Sequence, residues 1–119
     1  MKSFLRKSIN KFRYAFAGLF HGIYHDFSIT LQIIIALIVV VFCLFIDLAQ
    51  WEWCLILIVI GAVIALEFVN SAIESVVDLV SPNYHILAKR AKDYAAAAVL
   101  VMSIAACVIG IIIIGGKII

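Results

Sequence analysis

Three stretches of this chain, roughly residues 29–46, 51–80 and 94–114, are apolar over about the 20 residues that a helix needs to cross a ~30 Å hydrocarbon core, the first only just. In lipid a backbone must satisfy its own N–H and C=O groups, so runs of this kind fold as helices. At 67% hydrophobic and 13% charged, the 119-residue chain lies far outside the soluble range. The expectation is an all-α membrane protein with one membrane-embedded domain, 1–119.

The charges fix which way it faces. Eight of the nine Lys and Arg precede the first span (Lys2, Arg6, Lys7, Lys11, Arg13) or separate the second from the third (Lys89, Arg90, Lys92). The turn at 47–52 has none. The positive-inside rule then puts the N-terminus and the 81–93 loop in the cytoplasm, and the 47–52 turn and C-terminus outside, with Trp51 and Trp53 in the outer interfacial belt. No cleavable signal peptide is expected, because no long apolar core directly follows the basic N-terminus.

Residues 3–26 read as a separate element. Phe4, Leu5, Ile9, Phe12, Phe16, Leu19, Phe20 and Ile23 recur at helical spacing, with Lys and Arg on much of the other face. That is the pattern of an amphipathic helix on an anionic inner leaflet; simple juxtamembrane anchoring is the plainer alternative. Ser81-Pro82-Asn83 ends the second span, since Pro cannot continue a helix. Gly115-Gly116 is expected to end the third.

The second span carries its polar residues in one stripe. At about 100° per residue, Asn70 lies about 60° to one side of Glu67, Ser71 about 40° to the other, and Glu74 and Asp78 within about 20°. Carboxylates are costly in a bilayer and persist there mainly for a function. A lone Asn or Ser is explained as interhelical glue, but three carboxylates in line are not. With the outer boundary near Trp53, a rise of ~1.5 Å per residue puts Glu67 about 21 Å and Glu74 about 31 Å along the helix. Glu74 then emerges at the cytoplasmic interface, near Lys89, Arg90 and Lys92, and suits a metal or nucleotide. Glu67 stays about 9 Å inside a ~30 Å core and suits a general base.

The remaining reactive residue types carry less. Cys43, Cys54 and Cys107 are far apart without a CxxC spacing and read as small apolar residues. His21 and His25, spaced i, i+4 and followed by Asp26, have a metal-like spacing but supply no convincing fourth zinc ligand; headgroup contact is the better reading.

Glu67-Phe-Val-Asn70-Ser-Ala-Ile-Glu74-Ser-Val-Val-Asp78, then Ser-Pro-Asn83-Tyr84-His85, then Ala88-Lys-Arg-Ala-Lys92-Asp93-Tyr-Ala-Ala-Ala-Ala-Val99, closely resemble the prokaryotic diacylglycerol kinase family, which includes the undecaprenol kinases. The resemblance covers the whole architecture and is specific over 67–99. It implies a homotrimer in the bacterial cell membrane, with active sites between subunits at the inner surface. It implies phosphoryl transfer from Mg-ATP to a lipid hydroxyl, undecaprenol or diacylglycerol, with a weak tilt to undecaprenol. By the same resemblance Glu67 is the catalytic base, Glu74 binds Mg²⁺ and contacts ATP, and Asn70 sits beside them. Asn83, Tyr84, His85, Lys92 and Asp93 contact the nucleotide. No P-loop or Gly-rich phosphate motif is present.

Two departures stand out. Aligning Phe27 with the family puts Tyr24 where a second metal-binding glutamate usually lies, and a phenol is a poor Mg²⁺ ligand. Asp26 is the nearest carboxylate, about 200° around a helix. It supplies the missing charge only if the backbone bends there or the helix has already ended. Ala95–Ala98 replaces a run in which relatives often carry Gly or Ser, narrowing the headgroup space. Rival readings are an inactive scaffold of the same fold, supported by Tyr24 alone, and a small transport subunit. The latter is opposed by first and third spans that read as almost purely apolar.

Overall fold

The computed structural model describes residues 1–119 and is all helical: α1 (Lys2–His25), α2 (Phe27–Leu44), α3 (Gln50–Val80) and α4 (Ile86–Ile118). α2, α3 and α4 are each long and apolar enough to cross a membrane. The chain measures 51 × 46 × 23 Å. α3 packs along α4 and against α2, and α1 packs on α2.

A single extended residue, Asp26 (φ −115°, ψ 111°), separates α1 from α2. Its carboxylate accepts from the backbone N–H of Ser28 (3.0 Å) and Ile29 (3.3 Å), capping α2. Capping satisfies two of the donors that a helix start leaves open. Thr30 Oγ1 ties the joint from the other side, donating to the carbonyls of Ile23 (2.5 Å) and Asp26 (3.0 Å). Gly22, the one buried residue of α1, lies against the Phe68 ring of α3. The amphipathic helix is therefore fixed at its C-terminal end, and its apolar residues Phe4, Leu5, Ile9, Phe12 and Phe16 remain exposed.

The helices differ from the expected bounds at two places. α4 starts at Ile86, so Lys89, Arg90, Lys92 and Asp93 stand on its first turns rather than in a loop. The His85 side chain makes this possible by accepting from the Leu87 N–H at 3.1 Å, as an N-cap. Charge marks where the apolar span begins, not where the helix does. At the other end, Gly115 and Gly116 do not stop the helix, which runs to Ile118. Neither takes the left-handed conformation that a glycine stop requires.

The small core sits at the far end of α2 from the Asp26 joint: Cys43, Leu48, Ile56 and Ile113 are buried together, with Trp53, Ile60 and Ile109 against them. Beside it Glu52, also buried, accepts from the Ala49 N–H (2.9 Å) and pairs with Lys117 Nζ (3.0 Å), joining the start of α3 to the end of α4. Only 12 of the 119 residues are buried, so most apolar side chains of the spans face outward, as a lipid solvent allows.

Candidate active site

The stripe of α3 crosses from the protein interior to its surface. Glu67 is 6% exposed, Asn70 and Ser71 are half-buried, and Glu74 and Asp78 are exposed. Three of the stripe residues meet different parts of the chain, and the other two meet each other. Glu67 Oε1 accepts from Gln32 Nε2 of α2 at 3.4 Å. Ser71 Oγ donates to the Asp26 carboxylate at the α1–α2 joint. Asp78 pairs with Lys92 Nζ of α4 at 2.5 Å. Asn70 Nδ2 reaches Glu74 Oε1 on the stripe itself at 3.4 Å, and its carbonyl Oδ1 is buried with no partner.

The remaining expected residues lie beyond this group. Asp93 turns to Lys89, at 2.6 Å. That hydrogen bond first, and the carboxylate charge second, hold the Lys89 ammonium above its ordinary range. Asn83, Tyr84 and His85 form the exposed connection from α3 to α4 and make no hydrogen bond to the stripe. His85 also borders a groove of about 480 Å³ between the ends of α3 and α4, lined by Val76, Val77, Val80, Ser81, Leu87 and Ala88.

The helix has ended at Asp26, which is the condition for its carboxylate to turn toward the stripe. The carboxylate does face Ser71, but it is also the α2 cap, and both oxygens already accept hydrogen bonds. Tyr24 is 78% exposed. No three His, Cys, Asp or Glu side chains converge as a ready-made metal cage. Glu74, an exposed carboxylate, is instead the kind of hard-oxygen donor that Mg²⁺ takes. This ion keeps several waters and needs only one or two carboxylates together with substrate phosphates.

Sequence reasoning missed Gln32. The first span reads as almost purely apolar, and its single amide has no periodicity to flag it. The available signal is the one that singled out Glu67: a polar side chain isolated in a bilayer-spanning run.

A family model described as prokaryotic diacylglycerol kinase matches residues 13–114. The undecaprenol kinase of Bacillus subtilis (strain 168) is 46% identical over 68 residues, 57% of this chain and 55% of that protein. The diacylglycerol kinase of Synechocystis sp. is 37% identical over 100 residues, 83% of this chain and 57% of that protein. The diacylglycerol kinase of Escherichia coli (strain K12) is 33% identical over 95 residues, 80% of this chain and 78% of that protein. The chain thus spans little more than half the length of the first two relatives.

Proposed function

The chain belongs to the prokaryotic diacylglycerol kinase family, and on that premise we propose that it is a membrane lipid kinase: it transfers the γ-phosphoryl group of Mg-ATP to the hydroxyl of a membrane lipid at the cytoplasmic face of the bacterial cell membrane, as a homotrimer. Of the two acceptors, undecaprenol is the one proposed. In its support, the relative named for undecaprenol is 46% identical over its aligned stretch, against 33–37% for those named for diacylglycerol.

The observation that carries this reading is the contrast along one helix face, from buried Glu67 to exposed Glu74. A lipid hydroxyl approaches from the bilayer and a nucleotide from the water, and the stripe joins the two. In the proposed reaction the lipid oxygen attacks the γ-phosphorus as the bond to the β–γ bridging oxygen breaks. ADP leaves with that electron pair, and Glu67 takes the hydroxyl proton. Lys92, paired with Asp78 on the stripe, would offset the charge of the phosphates. The groove beside His85 suits a base by its apolar lining, and Asn83, Tyr84 and Asp93 are proposed as the remaining nucleotide contacts. Glu74 would hold Mg²⁺, with Asn70 beside it and Asp26 lending its charge through Ser71. Bound there, the ion would neutralise charge on the transferring phosphoryl group.

Tyr24 favours a second reading, an inactive scaffold of the same fold. Transfer of labelled γ-phosphate from Mg-ATP in mixed micelles, with undecaprenol and diacylglycerol in parallel, separates the two. Product in either tube is expected, with the faster rate on undecaprenol. A folded oligomer that labels neither lipid would overturn the kinase reading.

A further inference from the structure

Gln32 occupies the packed seam between α2 and α3. Ile29 and Ala36, one turn to either side of it, are both buried, and Gln32 itself is half-buried. An apolar residue would fill this place without desolvating an amide, and an amide in a membrane seam needs a partner. Its partner is the most buried carboxylate of the stripe: Nε2 donates to Glu67 Oε1 at 3.4 Å, the one side-chain hydrogen bond that Glu67 makes.

The choice of partner separates two roles. Interhelical glue works equally well between neutral amides, hydroxyls and backbone carbonyls. An amide aimed at a carboxylate does more. It fixes the plane of the two oxygens. With Oε1 held by Gln32, Oε2 makes no hydrogen bond of its own.

We propose that Gln32 is a positioning residue for the proton acceptor: it holds Glu67 so that Oε2 faces the lipid hydroxyl. This rests on the lipid-kinase reading. The reaction is unchanged by it. The hydroxyl proton passes to Glu67 as the lipid oxygen bonds to the γ-phosphorus and ADP departs, and Gln32 neither gains nor loses a proton.

The test uses the full-length protein in mixed micelles. Gln32→Met keeps the length of the side chain and removes the donor; Gln32→His returns an N–H of similar reach. For Gln32→Met, kcat is expected to fall about 10- to 100-fold. KM for Mg-ATP should stay within twofold and the detergent Tm should be unchanged. Gln32→His should recover part of the rate. The same Met substitution in a Glu67→Asp background should cost less than twofold, because the shortened carboxylate is already out of the amide's reach, and coupled sites are non-additive in this way. Full activity of Gln32→Met overturns the proposal. So does an equal loss in both backgrounds, or a loss that tracks a fall in Tm or in oligomer content; these assign Gln32 to glue. If the wild-type protein itself labels neither lipid, it is the kinase reading that fails, a result distinct from an active wild type with an indifferent Gln32.

Discussion

Glu67 and Glu74 are the same residue type two helical turns apart on one face, and only their surroundings distinguish them. One is closed off and held by an amide; the other is open to water beside an unpaired carbonyl. Glu67→Gln is therefore expected to lower kcat by the roughly hundred- to ten-thousand-fold that general-base catalysis contributes, with nucleotide binding intact by calorimetry. Glu74→Gln should weaken Mg-ATP binding as well as rate. Equal loss of nucleotide binding in both would collapse the division of labour. Asp26 has two roles that a pair of substitutions can separate. Asp26→Asn keeps the cap and the Ser71 contact but removes the charge, so it should raise the Mg²⁺ concentration for half-maximal rate with little change in Tm. Asp26→Ala loses the cap as well and should cost about 1 kcal/mol of stability. An unaltered Mg²⁺ dependence in both would remove Asp26 from the metal site. At this scale the sequence was legible where periodicity applied. The stripe follows from a 100° step and its gradient of exposure from a ~1.5 Å rise per residue, whereas Gln32 lies on another helix and meets Glu67 only through tertiary packing.

Helix identity was legible because a bilayer leaves few alternatives to a run of apolar residues. Helix ends were not, because they depend on caps. His85 starts α4 well before its apolar run, and Gly115 stays helical for want of a left-handed turn. The joint at Asp26 was foreseen only as a condition. The sharpest element-level contact is Gly22 on Phe68. A methyl group on Gly22 would overlap the aromatic ring and come within 3.1 Å of Ile29 Cδ1. Gly22→Ala should therefore lift α1 from its seat, at a cost of about 1–3 kcal/mol for such overpacking. Trypsin should then cut faster after Lys11 and Arg13 in vesicles, while the spans stay protected. Unchanged cleavage would mean that the ring moves aside and α1 stays docked.

One copy of this chain turns most of its surface outward. Its three spans bury little of their own surface, and Glu74 and Asp78 stand open on the stripe. The proposed homotrimer supplies neighbours, and sites shared between subunits make a specific demand. Copies carrying Glu67→Gln and copies carrying Lys92→Met, each inactive alone, should regain activity when co-reconstituted, provided the two residues serve one site from different subunits. No recovery would assign each site to a single copy. The proposed oligomer cannot be read from composition or spacing, since self-association leaves no periodic trace in an already apolar surface. A last consequence concerns which end of the helix pair comes apart first. Lys117 near the end of α4 pairs with buried Glu52 near the start of α3, so one ion pair clips together the two ends that the sequence holds farthest apart. Glu52 is then a clasp: without it, Lys117 is left unpaired and the α3–α4 seam frays from that end.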